Sequence, residues 1–175
     1  MTTTLLLLIM TLMLAVCGAV HDWRSLRIPN WLCLTIAVLF IVAVVIAPQD
    51  FTPLWPHLAA GVLMLGVTFA LFAFGLFGGG DAKLAAVLAL WLGLKGLAPF
   101  VMFTGIAGGV LALLGLYISK KKPFAHAAPQ GWVGQLQAGR NAIPYGIALA
   151  VGAVFAVFHT PPYAQKLHEL LFLIH

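Results

Sequence analysis

The chain has 175 residues, of which 63% are hydrophobic and only 7% are charged, and its formal net charge is +5. Soluble domains carry about 25% charged residues, so this composition excludes a water-soluble globular protein. The positive charge does not indicate nucleic-acid binding, because the basic residues lie in short segments between apolar runs, where anionic lipid headgroups attract them. We therefore expect a membrane protein whose partners include membrane lipids but no nucleic acid.

Six apolar runs have the character of membrane-spanning helices, which need about 20 residues each. In chain order they cover residues 3–20, 29–47, 57–77, 82–94, 97–119 and 143–158, and the fourth run is short. Because backbone groups in lipid must be satisfied within the segment, the predicted fold is all-α and polytopic, with about six transmembrane helices in a single domain over residues 1–175. The tail PPYAQKLHELLFLIH is amphipathic and is predicted to lie along the membrane interface or to pack on the bundle.

The basic residues predict which side of the membrane faces the cytoplasm. Seven of the nine follow the first, third or fifth run: Arg24, Arg27, Lys83, Lys120, Lys121, Lys122 and Arg140. The other two, Lys95 and Lys166, fall on the opposite side. The positive-inside rule assigns the side with seven basic residues to the cytoplasm, so both termini are expected to face outward.

The chain has four acidic residues, and only two of them are predicted to lie on the same side of the membrane as each other and close together at a helix boundary. Asp22 follows the first run and Asp81 opens the fourth, so both fall at the predicted cytoplasmic boundary, whereas Asp50 and Glu169 fall on the other side. Taken singly, each of the paired residues is typical of a helix end. Ionisable groups at membrane depth mark function by default, and two close carboxylates share one proton, which is the arrangement that an aspartic protease uses.

A glycine run, Gly78, Gly79 and Gly80, comes directly before Asp81. A simple turn between two spans would explain the run taken by itself. In a protease, glycines would also permit unusual backbone angles and the close approach of an extended substrate. Lys83 follows two residues after the aspartate, and three roles are open for it: favouring the ionised carboxylate, binding substrate, or anchoring the helix at the membrane surface.

Both aspartate segments resemble the active-site signatures of the type IV prepilin peptidases, which are membrane aspartic proteases with a GxGD motif. HDWRSLRIPNW places Asp22 before two arginines and Ile-Pro-Asn, and GGGDAKL contains the GxGD itself. A later IPYG, at residues 143–146, also resembles the family. The compact size is similar to that of the small family members that serve Flp, or tight-adherence, pili.

The resemblance implies an intramembrane aspartic endopeptidase of the bacterial inner membrane, with its active site facing the cytoplasm. Its substrates would be prepilins or pseudopilins, cleaved after a leader glycine, and no cofactor or metal is implied. Asp22 and Asp81 would be catalytic. The residues expected to bind substrate or support the site are Gly78, Gly79, Gly80, Lys83, Arg24, Pro29 and Asn30.

Larger bifunctional members of that family carry a cytoplasmic insert with cysteine pairs and also N-methylate the trimmed pilin. Here Cys17 and Cys33 both lie in apolar runs, and no such insert is visible. We therefore expect a peptidase without N-methyltransferase activity. Two other functions stay open: a small proton-coupled transporter and a non-catalytic pilus assembly protein. A proton relay favours carboxylates near the membrane midplane rather than at one edge. The pilin and the oligomeric state are left open.

Overall fold

The structure, a computed structural model, describes residues 2–123, 131–139, 143–161 and 163–172. Every regular element in these ranges is helical: α1 (Thr2–Ser25), α2 (Asn30–Ile46), α3 (Trp55–Ala73), α4 (Gly79–Lys121), α5 (Trp132–Gln137), α6 (Tyr145–His159) and α7 (Tyr163–Phe172), with a 3-10 turn at Pro48–Phe51. Three helices, α1, α3 and α4, are long and apolar enough to cross a membrane, and α2 and α6 are shorter apolar helices. The prediction of an all-α membrane protein is confirmed.

Helix α4 contains two of the predicted spans, joined by a reversal at Gly93. Gly93 has φ 63° and ψ −177°, a backbone conformation that is essentially restricted to glycine. After the reversal, Gly96 lies against Thr160 at the end of α6, and Gly108 lies against Tyr145 at its beginning. The second arm of α4 therefore runs back along α6 towards the end of the bundle where α4 began. The sequence predicted the two arms but placed the turn between residues 94 and 97.

The reversal interrupts the helical hydrogen bonds at the end of the first arm, and two side chains bind the carbonyl groups there. Nδ1 of His57 lies 2.8 Å from the Leu90 carbonyl oxygen, and the Tyr163 hydroxyl donates a 2.8 Å hydrogen bond to the Trp91 carbonyl oxygen. Burial raises the pKa of the Tyr163 hydroxyl, which keeps it a donor. The amphipathic tail therefore packs on the bundle through α7, although residues 162 and 173–175 lie outside the described ranges.

Replacing Gly93 with alanine is expected to lower the stability of the protein. The positive φ would be strained at a cost of about 1–3 kcal/mol, and the new Cβ would lie 3.2 Å from the His57 ring. The thermal unfolding midpoint of the purified protein in detergent measures the effect. Gly105→Ala is a matched control in the same helix, because no atom lies within 4 Å of its added Cβ. Equal midpoints for the two variants would contradict the strain at Gly93.

The helix ends divide the acidic residues between the two ends of the bundle. At one end, the Phe77 and Tyr145 rings, just before α4 and at the start of α6, have centroids 5.5 Å apart. At the other end, the Thr4 hydroxyl near the start of α1 donates to Asp50 in the 3-10 turn. Asp22, near the end of α1, and Asp81, at the start of α4, therefore share one end, and Asp50 lies at the other. Of the basic residues predicted on the aspartate side, Arg140 lies outside the described ranges.

Candidate aspartate site

Asp22 is held by the first turn of α6. It lies in the last turn of α1 and is only 4% exposed. Its Oδ2 accepts a 2.8 Å hydrogen bond from the backbone N–H of Gly146, one of the N-terminal N–H groups that lack a partner within their own helix. A Cβ at Gly146 would lie 3.0 Å from both Cβ and Oδ2 of Asp22. Glycine therefore lets the carboxylate approach this N–H.

Asp81 lies in the first turn of α4 and is 8% exposed. Its carboxylate is hydrogen-bonded by the backbone N–H of Gly78, the residue that caps the helix, as in the capping arrangement in which the third helical residue reaches back to the cap. Its other oxygen, Oδ1, is buried and has no hydrogen-bond partner among the described residues. A buried polar atom without a partner is uncommon and calls for an explanation such as a catalytic role.

The two carboxyl groups interact electrostatically, and one side chain separates the segments that hold them. Ile28, in the α1–α2 connection, is 8% exposed. An added Cβ on Gly80 would lie 3.1 Å from its Cβ, and one on Gly146 would lie 3.2 Å from its Cδ1. The α1–α2 connection and the first turns of α4 and α6 therefore meet at Ile28. Ile28 and Gly146 belong to the motifs HDWRSLRIPNW and IPYG, but nothing in those motifs predicted that the two residues position the aspartates.

The glycine run allows close packing, and none of its three residues has an unusual backbone angle in this structure. Gly78 has an ordinary extended conformation, with φ −77° and ψ 143°, and Gly79 and Gly80 are helical. A Cβ on Gly78 would overlap Oδ2 of Asp81, and one on Gly80 would lie 3.3 Å from the backbone oxygen of Ile28. The missing side chains of Gly78 and Gly80 therefore allow close contact with Asp81 and Ile28 of the same chain.

Gly79, the middle residue of the run, differs from its two neighbours. The three atoms nearest to a Cβ there all belong to the Phe72 ring, the closest at 3.3 Å. Phe72 is exposed, so its ring has room to shift. This difference gives a physical reason for a G-x-G-D pattern: an added Cβ would press on the Asp81 carboxyl group at the first position and on Ile28 at the third, but on an exposed ring at the second.

The other predicted site residues lie at the same helix ends as the aspartates or at the start of α2. Nζ of Lys83 donates a 2.9 Å hydrogen bond to Oδ1 of Asn30, which links the starts of α4 and α2 and gives the lysine a partner other than Asp81. Pro29 caps the N-terminus of α2, and Arg24 is exposed. Within the described ranges, neither aspartate forms a salt bridge, so the basic residues near Asp22 do not neutralise it directly.

The chemistry available at this site is acid–base chemistry by two buried carboxyl groups. In the part of the chain that the structure describes, no group of three or more His, Cys, Asp or Glu side chains is placed to hold a metal ion. Each aspartate accepts a hydrogen bond from a backbone N–H, and Asp81 keeps its second oxygen available for a water molecule or a substrate. A pair of this kind can activate water with one carboxylate and protonate a leaving group with the other.

Comparison with known proteins relates this site to a family. The family model described as type IV leader peptidase family matches residues 7–113, a range that includes both aspartates. The chain is 34% identical over 141 residues to the prepilin leader peptidase/N-methyltransferase of Bacillus subtilis (strain 168). That alignment covers 77% of this chain and 56% of the relative, so the chain spans little more than half of the relative's length. No solved structure gives a significant match.

Proposed function

The chain belongs to the type IV leader peptidase family, and from this we propose that it is an aspartic endopeptidase that removes the basic leader from prepilins or pseudopilins. Asp22 and Asp81 would form the catalytic pair. The observation that carries the proposal is the burial of both carboxyl groups at one end of the bundle, with Oδ1 of Asp81 left without a hydrogen-bond partner among the described residues.

In the proposed reaction, the two aspartates share the proton transfers of peptide hydrolysis. The ionised carboxylate takes a proton from water, whose oxygen forms a bond to the scissile carbonyl carbon, while the neutral carboxyl group hydrogen-bonds the carbonyl oxygen. When the C–N bond breaks, the departing amine takes a proton from the pair. The Gly146 N–H bond to Asp22 would keep the carboxyl groups in position, because acid–base help depends on geometry.

The position of the site at one end of the bundle suits a substrate with a basic leader outside the lipid and an apolar helix within it. We place this end at the cytoplasmic face of the bacterial inner membrane, because Arg24 and Lys83 lie beside it and basic residues favour the inside. We further propose the Flp class of pili as the client system. A proton relay is less well supported, because the pair lies at helix ends rather than at mid-helix.

Co-expression with candidate prepilins in a host without its own prepilin peptidase tests this function. Leader removal shortens the pilin, so a faster-migrating product with a new N-terminus is expected, and mass spectrometry identifies the bond that is cleaved. A prepilin whose leader glycine is replaced serves as the control and is expected to stay uncut. If none of the candidate prepilins were cleaved, the transporter and assembly alternatives would be favoured.

The proposed orientation predicts which positions react with reagents that cannot cross the membrane. In a chain whose two cysteines have been replaced, Arg27→Cys and Lys121→Cys are expected to stay unlabelled in intact cells and to react after the cells are opened. Gln49→Cys, at the other end of the bundle, is expected to react from outside. Labelling of position 27 in intact cells would invert the orientation and remove the cytoplasmic site from the proposal.

We further propose that this chain does not N-methylate the trimmed pilin. The basis is the location of Cys17 and Cys33 within apolar helices, where they cannot form the paired-cysteine insert expected of bifunctional members. Purified protein incubated with labelled S-adenosylmethionine and a processed pilin is expected to leave the pilin unlabelled. A bifunctional relative serves as the positive control, and incorporation of label by this chain above background would disprove the proposal.

A further inference from the structure

Two shallow apolar grooves lie side by side on the lipid-facing surface of the bundle, one on each side of α6. The first, of about 380 Å³, lies between α6 and the second arm of α4. The second, of about 250 Å³, lies between α6 and α1. Both grooves are lined by Ile147, Val151 and Phe155, which are spaced four residues apart and so form a continuous ridge along α6.

One end of this surface coincides with the aspartate site. Ile147 directly follows Gly146, whose N–H binds Asp22. On the opposite wall of the α1 groove, Ala19 lies about one helical turn before the same aspartate. From Ile147 to Phe155 the ridge extends about 12 Å along α6. The grooves therefore begin beside Asp22 and lead away from it along the apolar part of the bundle.

The chemistry of the lining defines what fits there. Every residue that lines either groove is apolar, so an occupant must present an apolar surface. A ridge of residues spaced by four, with a groove on each side, is the surface on which another helix packs its own side chains. Ala19 and Ala107 are small, which permits the close approach that drives helix association in lipid. Val151 is 37% exposed and Phe155 is 48% exposed, so the ridge is open to an incoming partner.

We infer that the α6 ridge and its two grooves receive the apolar helix of the substrate and align its N-terminal end with Asp22 and Asp81. The inference rests on the proposed function, in which the scissile bond lies at the aspartates while the apolar helix behind it stays in the membrane. Such a helix needs an apolar path that starts at the catalytic pair, and these grooves start there. A lipid chain would also fill an apolar groove, but nothing in its chemistry would require it to begin at the aspartates.

Photo-crosslinking in proteoliposomes tests the docking directly. We would incorporate p-benzoylphenylalanine at Val151 or Phe155 in the Asp81→Asn chain, so that the prepilin is not consumed. The matched control carries it at Val62 of α3, which is 71% exposed to lipid. We expect covalent adducts with the prepilin from positions 151 and 155 and only lipid adducts from position 62. Prepilin adducts of equal yield from position 62, or lipid adducts alone from positions 151 and 155, would overturn the docking.

Kinetics provide a second test that does not depend on crosslinking. Val151→Trp is expected to fill the grooves and raise KM about tenfold, the effect of losing the burial of one medium-sized apolar side chain, with kcat little changed. Val62→Trp makes the same substitution at a more exposed position on α3, away from both grooves, and is expected to leave both constants unchanged. A Val151→Trp protein with wild-type KM would overturn the docking while leaving the peptidase intact. If the wild-type chain cleaved none of the prepilins, the proposed function would fail, and the inference with it.

Discussion

Asp22→Asn and Asp81→Asn are each expected to abolish leader removal while leaving expression and membrane insertion at wild-type levels. Asparagine keeps the size of the side chain and an oxygen that accepts the Gly146 N–H bond, but it neither deprotonates water nor shares a proton. Acid–base help of this kind is worth about 10²–10⁴-fold. Because each carboxyl group acts only with the other, the two losses are not expected to add, and the double variant should resemble either single one.

The measurement is the rate of leader removal by purified variants that are present at equal concentration. Asp50→Asn is the matched control, because Asp50 lies at the opposite end of the bundle and asparagine keeps an oxygen for the Thr4 hydroxyl. This control is expected to cleave at the wild-type rate. Near-normal cleavage by either Asp22→Asn or Asp81→Asn would rule out the aspartic mechanism and make a relay or scaffold role the better explanation.

Gly78→Ala is expected to reduce cleavage about 100-fold, whereas Gly79→Ala should keep most of the activity. The Cβ of Gly78→Ala would overlap Oδ2 of Asp81 and displace the carboxyl group, and a displacement of about 1 Å at a catalytic group costs about that factor. The Cβ of Gly79→Ala would instead push on the exposed Phe72 ring, which has room to move. Gly78 caps the helix and Gly79 is its first helical residue, so alanine changes capping at one position and helix propensity at the other. Each effect is worth about 1 kcal/mol of stability and does not explain a 100-fold loss of kcat in the folded protein.

Cleavage rates and unfolding midpoints of the two alanine variants separate catalysis from stability. We expect similar midpoints and a large difference in kcat. Gly80→Ala is expected to lose both activity and stability, because its Cβ would meet the backbone of Ile28 rather than the end of a side chain. Equal activity of Gly78→Ala and Gly79→Ala would show that the overlap with Asp81 is relieved without cost, and the explanation of the G-x-G-D pattern would then be wrong.

The sequence by itself determined the class of protein, the helical segments and the grouping of the aspartates. These properties depend on local composition: an apolar run long enough to cross lipid must be helical there, and alternate connections between such runs fall on the same side. Asp22 follows the first predicted span and Asp81 follows the third. Their location at the same end of the bundle could therefore be predicted without knowledge of any contact. The motifs around the two aspartates could be recognised because HDWRSLRIPNW and GGGD are each contiguous in the chain.

Only the tertiary structure decided how the aspartates are held and what surrounds them. The bond from Gly146 to Asp22 joins residues 124 positions apart, and the position of Ile28 between Gly80 and Gly146 depends on three segments meeting. An added Cβ would face the Asp81 carboxyl group at Gly78 and the Phe72 ring at Gly79. Because both residues are glycine, the sequence does not show this difference. Close packing depends on neighbours that are distant in the sequence and that only the fold brings together, so the periodicity of the sequence does not predict them.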